Sequence, residues 1–174
     1  MTTPTGERAD LLRILTEQRE TFLVALHGID DEQARRRTTA SELTLGGLAR
    51  HLAQCYRTWF AIMAGRGPEM TAAEMADPEQ YLMRGSDTVE ALVADFRVAF
   101  DELAAALADA DDLDRTVPLP SFPWATGEPQ RWSLRYIVLH LFRETTHHSG
   151  HADIIRESLD GASTTARLAE VLGL

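Results

Sequence analysis

Four of the six histidines in the chain fall in the segment 140–151, and Glu144 lies among them. Imidazole nitrogens and carboxylate oxygens both bind divalent transition metals. A helix turns by about 100° per residue, so Glu144, His148 and His151 would share one helical face. Burying a carboxylate beside imidazoles costs free energy unless a partner satisfies them, and a metal ion would satisfy all of them at once. The spacing therefore predicts a metal site on this helix.

The helical wheel separates the roles of the histidines. His148 lies on the apolar stripe of the helix, and Glu144 and His151 flank it. His147 points toward the margin of the stripe, which indicates a surface position. His140 lies one turn before Glu144, and we interpret it as a hydrogen-bond partner of a ligand. The alternative for any one interior histidine is a hydrogen-bonded core residue that binds no metal.

A second helix must complete the site, because one helix rarely supplies every ligand. His51 lies at the edge of a second apolar stripe, beside Leu48 and Leu52, and can face the interior of the protein. His27 stands next to Gly28 at a predicted helix end, so we expect it to be exposed. By elimination His51 is the predicted partner, and the candidate ligands are His51, Glu144, His148 and His151.

Four long segments with apolar residues at helical spacing must position these side chains. No segment shows the alternation of a half-buried strand, so we expect an all-α fold, a four-helix bundle. Thr44 and Ser133 are predicted to cap the second and fourth helices, and Ser86 or Asp87 the third. Short helices are expected at 31–36, at 164–172 and, less clearly, within 71–84. The long helices are predicted at residues 7–26, 44–64, 88–108 and 133–159.

A long proline-rich loop, residues 109–131, precedes the last long helix. Its four prolines exclude a helix there. Residues 117–119 and 122–124 could pair as a short hairpin, or could simply cover one end of the bundle. Loops of this length in compact domains usually have a function or are ordered by packing.

Composition limits the classes of function. The 174 residues fit a single domain, 1–174, and the net charge of −10 argues against nucleic-acid binding. The one dense basic run, Arg35 to Arg37, is interpreted as a solvated surface. A single cysteine, Cys55, fits a reducing cytoplasm. No apolar run has the length of a signal peptide's core or of a membrane span, so a cytoplasmic location is predicted.

The pattern Leu139-His140-(x3)-Glu144-(x3)-His148-x-Gly150-His151-Ala152-Asp153-(x2)-Arg156-Glu157, together with the His51 segment, resembles the DinB-like superfamily, in particular its mini-circle branch. This superfamily also contains the mycothiol-dependent maleylpyruvate isomerase and thiol S-transferases. The resemblance implies three metal ligands, matching His51, Glu144 and His148, with open positions for water or a thiolate. His151 stands where many relatives carry glutamine, so it is either a fourth ligand or a polar neighbour. The resemblance also makes a homodimer plausible.

Three functions are compatible with a metal site of this kind. The first, which the resemblance implies, is a metal-dependent enzyme that uses a low-molecular-weight thiol such as mycothiol against an electrophilic substrate. The alternatives are a non-catalytic, stress-related metal-binding module and a metal-dependent hydrolase. Zinc is the metal we expect, although nickel, iron or manganese would also suit the donors. Cys55 is interpreted as a small buried residue, and Trp59, Trp124 and Trp132 as packing residues rather than a pocket lining.

Overall fold

The computed structural model describes residues 5–67, 70–120, 128 and 130–172. Apart from one short hairpin, the elements in these ranges are helical, which confirms the predicted all-α class. In chain order they are α1 (Glu7–Val24), α2 (Asp31–Arg35), α3 (Leu45–Met63), α4 (Ala72–Met75), a 3-10 turn (Pro78–Tyr81), α5 (Val89–Ala108), β1 (Thr116–Pro118), β2 (Arg131–Ser133), α6 (Leu134–Asp160) and α7 (Thr164–Leu172).

The four long helices α1, α3, α5 and α6 pack in a ring, in which α1 and α3 each contact both α5 and α6. Helices α1 and α6 run parallel, because Arg135 at the start of α6 pairs with Glu7 and Arg156 near its end binds the carbonyls of Ala25 and His27. Helix α3 runs antiparallel to α6 and parallel to α5. The long connection between α3 and α5, residues 64–88, must therefore return to the end of the bundle at which α3 begins.

Side-chain caps set the helix starts. The Thr44 hydroxyl accepts a hydrogen bond from the backbone of Gly47, and the Ser133 hydroxyl accepts one from that of Tyr136, as predicted. The expected cap of the third long helix was wrong. Thr88, rather than Ser86 or Asp87, accepts the bond from the backbone N–H of Ala91. Thr88 caps α5 because the helix begins at the next residue, Val89.

The core lies between the four helices and is mainly apolar, and a pair of hydroxyl groups crosses it. The Tyr56 hydroxyl lies 3.0 Å from the Thr145 hydroxyl, joining α3 to α6 through fully buried side chains. Each hydroxyl thus has the partner that burial demands. The ring of Tyr56 packs edge-on against Phe96 of α5, with the centroids 5.3 Å apart.

The hairpin joins β1 to β2 as an antiparallel pair, with Val117 opposite Trp132. Residues 122–124, which we considered as the partner of 117–119, lie outside the described residues. The pairing places the segment that follows α5 beside the segment that precedes α6. It also places Trp132 beside α3.

The connection between α3 and α5 folds back over the first turns of α3. The Arg50 guanidinium donates hydrogen bonds to the carbonyls of Glu79 and Leu82. A Cβ atom on Gly47 would lie 1.8 Å from the Tyr81 carbonyl oxygen. The backbone of the 3-10 turn can therefore approach α3 this closely only because residue 47 is glycine.

Within the described ranges, no helix combines the length and the apolar character needed to cross a bilayer.

Candidate metal centre

Three of the four predicted ligands come together between α3 and α6. One ligand atom from each of His51, Glu144 and His148 lies within 4.8 Å of the others. His51 occupies the second turn of α3, and the other two are one turn apart near the middle of α6. The His51 and His148 rings meet edge to face with their centroids 4.8 Å apart. The two wheels predicted that these side chains face the interior, and the packing of α3 against α6 brings them together.

Both histidines of this cluster are held in the neutral form that binds metals. His51 and His148 are 7% and 5% exposed. Burial lowers the pKa of His51 to about 4, against a smaller opposing effect of its hydrogen bond to Gln80. Burial, and then the neighbouring histidines, lower the pKa of His148 to about 3. Neutral imidazole is the ligand form.

The two ring nitrogens of His51 have different surroundings. Nδ1 lies 3.0 Å from Oε1 of Gln80. Nε2 is buried and has no hydrogen-bond partner within the described part of the chain. A buried polar atom without a partner is unfavourable, and it is satisfied if an ion binds it. This unsatisfied nitrogen, a second imidazole and a carboxylate fit a divalent transition metal.

His151 lies beside the three-residue cluster rather than within it. Its Nδ1 is 3.4 Å from Nδ1 of His148, whereas Nε2 of His148 is the atom that faces Glu144, 3.8 Å from Oε2. His151 and Glu144 thus face different nitrogens of the His148 ring. His147 and His27 are exposed, as expected.

His140 lies beside the carboxylate of the cluster but makes no hydrogen bond to it, so its interpretation as a hydrogen-bond partner of a ligand is not met by this contact. Its Nδ1 lies 3.8 Å from Oε1 of Glu144 and accepts a hydrogen bond from Arg143. Burial, and then Arg143, lower its pKa to about 4. The ring packs edge-on against Trp59 and Trp132, which stack on each other with centroids 5.0 Å apart. Two of the three tryptophans therefore lie near the cluster; Trp124 is outside the described residues.

Cys55 lies one turn after His51 and is half-buried. Burial raises the pKa of its thiol well above the usual range, and the nearby charge of Glu144 raises it further. The side chain is therefore a protonated thiol at neutral pH, in agreement with its interpretation as a packing residue.

Sequence reasoning missed two residues of the site, Gln80 and Tyr81, both in the 3-10 turn. The Tyr81 ring lies 4.3 Å from that of His51 and 5.7 Å from that of His148, measured between centroids. Neither residue belongs to a periodic helix, and only the folding of the connection over α3 brings them here. The one signal in the sequence was the pair Gly46-Gly47 inside a predicted helix, a sign of close backbone approach.

Four of the five arginines of α3 and α6 have structural partners. Arg57 pairs with Asp95, while Arg50, Arg135 and Arg156 are engaged as described above and by acidic neighbours. Arg143 is the one beside the cluster. Its guanidinium nitrogen lies 3.5 Å from Oε1 of Glu144, and its side chain is 64% exposed.

Comparison with known families adds an independent finding. A family model described as mycothiol-S-transferase matches residues 10–161, a range that includes the whole cluster, the helices α3, α5 and α6, and all but the first three residues of α1. No curated protein matches the chain. The match agrees with the resemblance to the DinB-like superfamily and covers most of the chain. The protein therefore belongs to the mycothiol S-transferase family.

Proposed function

We propose that the protein is a metal-dependent S-transferase that joins the thiol of mycothiol to an electrophilic small molecule. The observation that carries the proposal is the convergence of His51, Glu144 and His148 within 4.8 Å. These three would bind the ion, and His151 would support His148 from the opposite side of its ring. Membership of the mycothiol S-transferase family supports the thiol as the cosubstrate.

Zinc is the metal that we favour, since two imidazoles and one carboxylate are a frequent ligand set of catalytic zinc. Nickel, iron and manganese accept the same donors. Three protein ligands leave open positions, in contrast to the four of a structural site. An ion bound there would lower the pKa of a thiol in an open position, so that the thiolate would be present at neutral pH.

The chain's own residues prepare such a site for transfer chemistry. The Tyr81 ring covers the two imidazoles, and the stacked Trp59 and Trp132 pack against His140. Tyr81 would limit the access of water to the buried histidines. Glu144 is 25% exposed, which leaves the carboxylate side accessible to a small molecule. In the reaction the thiol loses its proton, the sulfur forms a bond to the electrophilic carbon, and the leaving group departs with its electron pair.

The test combines metal analysis with a conjugation assay. The wild type and His148→Ala are purified under zinc-replete conditions, and their metal content is measured. Each is then incubated with mycothiol and monochlorobimane, and the fluorescent conjugate is followed. His27→Ala is the matched control, because this exposed histidine lies outside the cluster.

We expect about one zinc per chain and catalysed conjugation in the wild type and in His27→Ala, and neither in His148→Ala. Absence of stoichiometric metal from the wild type would contradict the metal site. Metal without conjugation above the rate of His51→Ala, over several electrophiles, would favour the binding module. Ester cleavage without added thiol would favour the hydrolase.

We also propose that the chain acts as a single domain in the cytoplasm. The single cysteine and the use of a small reduced thiol support this location.

A further inference from the structure

His51 can offer Nε2 to a metal ion in only one of its two neutral tautomers. When the ring proton is on Nδ1, Nε2 carries a free lone pair; when the proton is on Nε2, that atom cannot bind a cation. The Nε2 atom is the one that is buried without a partner. A group that keeps the proton on Nδ1 would therefore favour the binding of an ion at Nε2.

The hydrogen bonds of Gln80 determine which tautomer is present. Its amide nitrogen donates to the carbonyl of Met75 over 2.7 Å, and its amide oxygen faces Nδ1 of His51 at 3.0 Å. A carbonyl can only accept, so the NH₂ group must be the end that faces Met75. The remaining end is an oxygen, which can also only accept. Nδ1 of His51 must then donate and must carry the proton.

Gln80 is held in place independently of His51. The connection before it is fixed by a capping box between Thr71 and Glu74 and by the Asp77 side chain, which accepts from the backbone of Glu79. On either side of it, Arg50 binds the carbonyls of Glu79 and Leu82, and Gly47 lets the backbone of Tyr81 lie against α3. The amide oxygen is thus positioned by contacts that do not involve His51.

We propose that Gln80 is a positioning residue that fixes His51 in the Nδ1-protonated tautomer and so leaves Nε2 ready to bind the metal ion. This inference rests on the metal site proposed above. Groups that orient metal-binding histidines in this way typically affect metal affinity by roughly 10–100-fold. The expected consequence is a loss of affinity when the acceptor is removed and its retention when an acceptor is kept.

The experiment measures both the tautomer and the metal affinity. Histidine ring ¹⁵N shifts are recorded on the metal-free protein at neutral pH, and the zinc dissociation constant is obtained by chelator competition. Gln80→Leu removes the acceptor, and Gln80→Glu keeps an oxygen facing Nδ1. Glu79→Gln is the control, since its exposed side chain lies in the same turn. Thermal melting checks that each variant is folded.

We expect the proton of His51 on Nδ1 in the wild type, in Gln80→Glu and in Glu79→Gln, all with similar zinc affinity. In Gln80→Leu we expect a mixture of tautomers and roughly 10–100-fold weaker zinc binding. A proton on Nε2 of His51 in the wild type would overturn the proposal, as would unchanged zinc binding by Gln80→Leu. Equal losses in the Leu and Glu variants would also overturn it, because the effect would then come from displacement of the turn.

If Gln80→Leu does not fold, the wild-type tautomer and the affinity of Gln80→Glu still decide the question. A wild type that binds no zinc would overturn the metal site itself and this inference with it. If the wild type binds zinc and Gln80→Leu binds it with the same affinity, the metal site stands and only this inference is overturned.

Discussion

Oε2 of Glu144 lies 3.8 Å from Nε2 of His148, one helical turn away, while Oε1 lies 3.5 Å from the guanidinium of Arg143. Glu144 is the one carboxylate in the three-residue cluster. We expect Glu144→Gln, which keeps the shape but removes the charge, to weaken zinc binding by at least about tenfold. Chelator competition measures the change.

Glu157→Gln is the matched control for that variant, because Glu157 is exposed on the same helix. Its zinc affinity should equal that of the wild type. Equal affinities for Glu144→Gln and Glu157→Gln would show that Glu144 is not a ligand.

Tryptophan fluorescence should report binding of a paramagnetic ion at the cluster. Trp59 and Trp132 contact His140, which adjoins Glu144. We expect Co²⁺ to quench the emission with one-to-one stoichiometry, and we expect the quenching to be lost in His148→Ala at the same ion concentrations. Quenching that is unchanged in His148→Ala would place the ion elsewhere.

Two glycine-to-alanine substitutions should have opposite effects on stability. A Cβ on Gly47 would meet the Tyr81 carbonyl oxygen, so Gly47→Ala should destabilise the protein by about 1–3 kcal/mol. Gly150 lies within α6 and a Cβ there meets nothing within 4 Å, so Gly150→Ala should stabilise it by roughly 0.5–1 kcal/mol. Urea denaturation measures both. A stable Gly47→Ala with unchanged zinc affinity would contradict the close packing of the 3-10 turn on α3.

We expect Arg156 to be essential for stability, although it lies near the end of α6 and does not belong to the cluster. Its side chain is 2% exposed and donates to the carbonyls of Ala25 and His27 and to the carboxylate of Asp160. Arg156→Met keeps much of the volume but removes the donor to the Ala25 carbonyl and the ion pair with Asp160, and should cost about 3 kcal/mol in the free energy of unfolding. Arg167→Met, at a partly exposed position near the same carbonyl of His27, should cost far less.

The Arg156–Asp160 pair should also make stability depend on pH. The hydrogen bond from Arg156 is the main cause that lowers the pKa of Asp160 in the folded protein. A lowered pKa stabilises the fold above the unfolded value, about 4, and this contribution is lost as the pH falls below that value. The stability difference between the wild type and Asp160→Asn should therefore shrink between about pH 5 and pH 3. A constant difference over that range would contradict the pairing.

The sequence predicted the parts of the site that follow from helical periodicity. The wheels of α3 and α6 placed His51, Glu144 and His148 on inward faces, and the structure brings these three residues together. The wheel could not separate His151 from the other histidines, because a wheel gives direction but not which ring nitrogen faces which neighbour. Here Nδ1 of His148 faces His151 and Nε2 faces Glu144.

The positions of Gln80, Tyr81 and the hairpin depend on tertiary contacts that no local sequence pattern encodes. Gln80 and Tyr81 reach the cluster because the connection folds back over α3. The glycine at position 47 does not by itself show that Tyr81 is the residue that approaches it. The hairpin is similar. Val117 pairs with Trp132 rather than with a residue nearer in sequence, since β1 follows the end of α5 and β2 comes directly before the start of α6.

The position of the cluster between α3 and α6 has a consequence for folding. His51 and His148 belong to segments far apart in the sequence, and the one cysteine cannot form a disulfide within the chain. An ion shared by the two helices would act as a reversible cross-link, which stabilises a fold by excluding expanded conformations of the unfolded chain. The same contacts that would prepare a thiol for reaction would then also hold the bundle closed.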